Sequence, residues 1–156
     1  MQALLAAVEA TSIAQYLRAS RWGYAAVSFT HILGFALLIG AIVPLNLRLL
    51  GLWPAIRRST LMRVLVPAAA FGLMLAVPAG LLLFSVKAQD YSSIGFLQVK
   101  LALIGAGILS AVTAHLRYGL ALEGASETRL RLHALISLGC WLGALCLGRL
   151  IAFALD

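Results

Sequence analysis

Four stretches of this 156-residue chain, roughly 24–50, 62–86, 96–118 and 130–154, are each long and apolar enough to cross a bilayer. About 20 such residues suffice, at ~1.5 Å per helical residue, to span a hydrocarbon core about 30 Å thick. No water is present there to satisfy backbone N–H and C=O groups, so each stretch has to be helical. The connections are short and polar, which makes consecutive helices antiparallel neighbours. The expected fold is therefore all-α, an integral membrane up-down four-helix bundle forming a single transmembrane domain over residues 1–156. Composition agrees, since 63% of residues are hydrophobic and only 11% are charged, more apolar surface than a soluble core of this size could bury.

The segment before the first span, MQALLAAVEATSIAQYLRASRW, lacks a basic start and carries Glu9 where a signal peptide stays apolar. Leu4, Leu5, Val8, Ile13, Tyr16 and Leu17 fall mostly to one side, which predicts a short N-terminal interfacial helix. The connection KAQDYSSIG reads as a short polar turn, and Ser126, with Glu127 behind it, as the N-cap of the last helix. The net charge of +7 would suggest nucleic acid in a soluble chain. Here the basic residues border apolar runs, so the expected partner is the lipid bilayer and not nucleic acid. Arg48, Arg57, Arg58, Arg63, Arg117, Arg129 and Arg131 flank the first and third connections, seven against the five of Arg18, Arg21, Lys87, Lys100 and Arg149 on the other side. The positive-inside rule then puts both termini outside the cytoplasm. Cys140 and Cys146, six apart on one helix, point in different directions and read as packing residues.

All three histidines, His31, His115 and His133, fall within the apolar stretches. An ionisable side chain in a bilayer is costly and marks a candidate functional site, and imidazole is a common ligand for metals and haem iron. His31 lies in the outer half of the first span, with Ser28 and Asn46 toward the same face and Lys100 in its layer. His115 and His133 lie near the cytoplasmic ends of the third and fourth spans, level with each other and on the order of 20 Å lower. These positions imply two sites rather than one triad. His133, Ser137, Cys140 and Ala144 form a stripe of small and polar residues, as do Lys100, Gly107, Ala111 and Ala114 with His115 at their edge. Such stripes allow close helix packing or leave room for a flat cofactor. Two imidazoles on facing helices can clamp haem iron from both sides. Lys100 either snorkels to the headgroups or meets an anionic group, and Arg149, opposite His133 on its helix, need not face the interior. Pro44 and Pro78 free the carbonyls of Gly40 and Met74, and a kink at either can widen a bundle.

The chain has no HExxH, P-loop, GxSxG or dinucleotide fingerprint, and its acids, Glu9, Asp90, Glu123, Glu127 and Asp156, form no intramembrane pair. A hydrolase or proton-coupled carrier finds no support in these residues.

The early His31, followed by Gly34 and Gly40, the helix end at Arg48 and Gly51, the G-L-L-x-F run at Gly80, and Phe96 with Lys100 form a pattern over about residues 15–118. It resembles a family of small four-helix bacterial membrane proteins of unknown function. More distantly it is similar to HemJ-type protoporphyrinogen oxidases and copper-resistance D-type membrane proteins. That likeness implies a bacterial inner membrane, in which termini outside the cytoplasm are periplasmic, and an association with haem b, and it carries over to His31 and Lys100. His115 lies about a turn from a HemJ-type histidine, and His133 has no counterpart.

Together these readings predict a b-type haem-binding membrane protein in electron transfer or membrane redox chemistry. His115 and His133 are candidate ligands of an inner haem, His31 of an outer site, and Lys100 its anion partner; all three histidines are candidate metal ligands. A quinone or a periplasmic redox partner would exchange electrons with such a protein, as a homo-oligomer or a subunit of a larger membrane complex. The alternatives are a cofactor-free membrane subunit or assembly factor, and a metal or small-solute transporter.

Overall fold

The computed structural model describes residues 1–154, which form helices and connections without strands. In order they are α1 (Gln2–Glu9), α2 (Ser12–Ala19), α3 (Arg21–Leu49), α4 (Arg58–Val86), α5 (Ala88–Ser93), α6 (Gly95–Tyr118) and α7 (Glu127–Ala154). The four long helices, α3, α4, α6 and α7, are each long and apolar enough to cross a membrane. They match the expected spans closely. At 29 residues each, α3 and α4 are about 43 Å long and outreach the hydrocarbon core. The start of α3 moves to Arg21 because the Ser20 hydroxyl accepts the Gly23 N–H at 3.0 Å, a capping bond that satisfies a donor the helix leaves open. α7 begins directly after Ser126, as expected.

Packing departs from the expected neighbour order at the second connection, because α5 intervenes there and the consecutive spans α4 and α6 do not pack on each other. α3 packs along α4 and against α7, and α7 packs along α6, whereas α4 and α6 scarcely touch. The inner pair is thus α3 and α7. The α3–α4 contact is a close approach of backbones at Gly34 and Gly72. A Cβ at Gly72 would lie 2.6 Å from the Gly34 oxygen and the Leu38 nitrogen. Small residues at such crossings let dispersion act over a long seam, which is the main attraction left between helices once lipid removes the hydrophobic drive. α3 continues through Pro44, and α4 through Pro67 and Pro78.

One end of the bundle holds the N-terminal helices, α5 and the end of α7, and is called the terminal end below. At the opposite end Gly51 turns the chain at φ 109°, a conformation that favours a residue without Cβ. Arg48 donates to the Ile56 carbonyl at 2.7 Å, tying that loop back to α3. Leu49, Met62, Ala114, Leu122, Leu130 and Ala134 form a buried cluster at this end, and Leu38, Ile42 and Trp141 a second one nearer the middle. Apolar side chains such as Phe71, Met74, Leu109 and Leu135 remain exposed, as helices facing lipid require.

Two connecting segments differ from expectation. The N-terminal segment is two short helices, not one, because Thr11 breaks it: its hydroxyl donates to the Val8 carbonyl at 2.8 Å and accepts from Ala14 N–H. The break turns Ala14 and Leu17 inward against the bundle and leaves Leu4, Ile13 and Tyr16 exposed. The KAQDYSSIG connection is helical over α5, and it docks the N-terminus: Glu9 accepts from the Gln89 backbone at 2.8 Å and from its side chain at 3.1 Å. Arg18 donates to the Val86 carbonyl at 2.6 Å, satisfying an orphan acceptor at the end of α4.

Candidate functional site

Because α4 and α6 do not close on each other, a cavity of about 410 Å³ lies among the four long helices in the half away from the terminal end. Its walls are largely apolar, with Leu38 and Ile42 from α3, Met62 and Leu73 from α4, Ile108 from α6 and Trp141 from α7. Asn46, Ser110, His115, His133 and Ser137 bring the polar atoms. A mostly apolar pocket with a few convergent polar groups is the usual form of a site for a small lipophilic molecule.

His115 and His133 line this one cavity, as their depths predicted. Their surroundings differ. The Nδ1 of His133 lies 3.3 Å from the Ser110 hydroxyl, with the donor set by the ring tautomer, and its ring meets Tyr118 edge-on at 6.5 Å. Tyr118 in turn accepts from Arg129 at 2.8 Å. The Nδ1 of His115 is buried and has no hydrogen-bond partner. A buried polar atom without a partner costs about 1–3 kcal/mol, so it marks a place where a ligand would be favoured.

His31 stands apart and does not reach the cavity. Its Nδ1 lies 2.8 Å from the Ala76 carbonyl of α4. A carbonyl can only accept, so Nδ1 carries the proton and Nε2 of the neutral ring is left as an acceptor. The ring fits there because residue 80 is glycine, where a Cβ would lie 2.9 Å from the imidazole Cε1. Lys100 shares the layer, within electrostatic range of His31, and lays its Nζ 3.2 Å from the place a Cβ of Gly148 on α7 would occupy. Arg149 is exposed and stacks over Phe153 at 4.5 Å, away from either site.

The polar seam expected along α3 does not hold together. Asn46 is fifteen residues beyond His31, about 22 Å along the axis, and donates instead to the Ser137 hydroxyl of α7 at 2.9 Å. The small stripe of α7 is interior, with Cys140 and Ala144 buried, and Gly107 of α6 is flat because the Trp141 indole lies against it. Ser110 was missed, and Tyr118, an aromatic at a span end that suits an interfacial belt, was not read as a neighbour of His133. Among the described residues no three His, Cys, Asp or Glu side chains gather as metal ligands.

The fold and the cavity define a multi-pass, four-span α-helical membrane protein with a lipophilic pocket. Comparison with family models, with curated proteins and with solved structures finds no match to this chain.

Proposed function

We propose that the protein is a b-type haem-binding membrane protein acting in electron transfer, with the prosthetic group held in the cavity at His115 and His133. The observation that carries the reading is the pairing of His115 and His133 on one apolar cavity, with the His115 Nδ1 left without a hydrogen-bond partner. Imidazole nitrogen is the donor that haem b iron takes, and apolar walls suit a porphyrin. When bound, haem supplies a one-electron couple. The chain's own part is to hold it and to keep water away. His115 offers a nitrogen that no protein group competes for, the Ser110 hydroxyl restrains the His133 ring, and the Asn46–Ser137 bond ties α3 to α7 beside the cavity. A quinone or a periplasmic redox protein is the electron partner on this reading. On this reading the membrane is a bacterial inner membrane, and the bias of basic residues toward the first and third connections supports termini on its periplasmic side.

The test is an oxidised and reduced visible spectrum of the purified protein, with haem extraction. A Soret band and a reduced b-type band are expected in the unmodified chain. His115→Ala and His133→Ala should weaken or abolish them, while His31→Ala should retain them. A colourless protein from haem-replete cells, or an unchanged His115→Ala spectrum, refutes the assignment. A second reading, a cofactor-free membrane subunit whose histidines only pack, is favoured by the hydrogen bonds that His31 and His133 already make within the bundle. It predicts the colourless outcome.

A further inference from the structure

At the terminal end the start of α3, the end of α4 and the start of α5 converge around an open pocket of about 620 Å³. Arg18, Arg21 and Lys87 line it, and no carboxylate of the described residues does. The one ion pair among the described residues joins Arg18 to Glu9 at 3.9 Å, and the Glu9 oxygens are also held by Gln89. Arg18 is further engaged with the Val86 carbonyl. The side chains of Arg21 and Lys87 have no hydrogen-bond or ion-pair partner among the described residues, yet both face one pocket. Cations so placed repel each other, and an anion between them reverses the sign of that interaction.

The same wall carries Tyr24 and Tyr91. Burial, and then the neighbouring Tyr24, push the Tyr91 hydroxyl above its ordinary range, and a protonated phenol can donate to an anion. Leu17, Leu83 and Val86 complete the pocket with apolar surface. It lies at the ends of the spans, the level at which headgroups meet a membrane helix, with Tyr16 and Trp22 exposed beside it as aromatic residues of the kind enriched at interfaces. We propose that this pocket binds the phosphate of an anionic phospholipid headgroup. Arg21 and Lys87 supply charge, Tyr24 and Tyr91 hydrogen bonds, and the leucine wall a seat for the start of the acyl chains. Arginine suits phosphate through paired N–H donors, and lysine as a point charge. The apolar wall and the interfacial depth favour a lipid over free phosphate. This site is independent of the haem reading.

Calorimetric titration of the full chain in neutral detergent at low salt tests it, using dihexanoyl phosphatidylglycerol, dihexanoyl phosphatidylcholine and inorganic phosphate as probes. Saturable binding of the glycerol lipid is expected, with no comparable binding of the choline lipid. Arg21→Gln combined with Lys87→Gln should weaken it about 30-fold. Arg57→Gln combined with Arg58→Gln, at the opposite end of the bundle, should leave it unchanged. Equal loss in both double variants means that overall charge, not the pocket, attracts the lipid, and overturns the proposal. So does an unchanged Arg21/Lys87 double variant, equal binding of the choline lipid, or inorganic phosphate binding as tightly as the lipid. Far-UV circular dichroism identical to the parent establishes that each variant is folded.

Discussion

Replacing Gly72 by alanine tests whether the α3–α4 seam holds the bundle together. The new Cβ would lie 2.6 Å from two backbone atoms of α3, the Gly34 oxygen and the Leu38 nitrogen. Backbone in mid-helix cannot rotate aside, so the helices must separate until the contact reaches at least 3.4 Å, a displacement of about 0.8 Å. The His31–Ala76 bond, one turn further along α4 and 2.8 Å long, would then stretch to about 3.6 Å, beyond useful hydrogen-bond range. Overpacking costs about 1–3 kcal/mol and the lost bond about 1 kcal/mol. Alanine returns about 1 kcal/mol of helix propensity, which offsets the bond but not the clash. The net expectation is a loss of about 1–3 kcal/mol. The assay is reversible unfolding in mixed micelles by dodecyl sulfate, followed by circular dichroism. Gly139→Ala on α7 is the control, because nothing lies within 4 Å of a Cβ there and only the propensity gain applies. A Gly72→Ala protein as stable as Gly139→Ala would refute the close backbone approach.

His115→Leu removes the unpartnered buried nitrogen, so haem-free protein should gain about 1–2 kcal/mol of stability in the same unfolding assay; a clear loss would mean that the ring has a partner the cavity geometry does not reveal. The Glu9 carboxyl is held below its ordinary value of 4.5, chiefly by the Gln89 backbone N–H and further by Arg18. A depressed carboxyl stabilises docking above that ordinary value, and the contribution fades as pH falls through its lower folded value. Proteolysis within α1 should therefore accelerate in acid, and Glu9→Gln should flatten the profile; a Glu9→Gln chain with the parent's acid response would rule out this carboxylate as the cause.

Legibility varied along the chain for identifiable reasons. The spans were plain because a run of apolar residues in a bilayer has only one way to satisfy its backbone. Helix ends were recoverable to within a few residues from Ser126 and the arginines, although the Ser20 cap that starts α3 was not read. The break at Thr11 was not, since a threonine hydroxyl serves a helix interior and a cap alike until its partner is known. Asn46 was read only as lying toward the His31 face of its helix, and its partner could not be foreseen because Ser137 lies on another helix. Gly80 and Gly148 could not be told from packing glycines, although the space they leave is what His31 and Lys100 occupy.

By itself the sequence determined an all-helical membrane bundle, the alternation of its four spans, and the depths that separate His31 from His115 and His133. Hydropathy and rise per residue suffice for these, because both act along a single helix. Only the tertiary structure decided that α3 and α7 form the inner pair, that α4 and α6 stand apart around a cavity, and that among the described residues His115 alone keeps a buried side-chain nitrogen without a partner. Those outcomes depend on which helix faces close. In lipid that choice rests on backbone approaches such as Gly34 with Gly72 and on a few interhelical bonds, neither of which a one-dimensional pattern encodes.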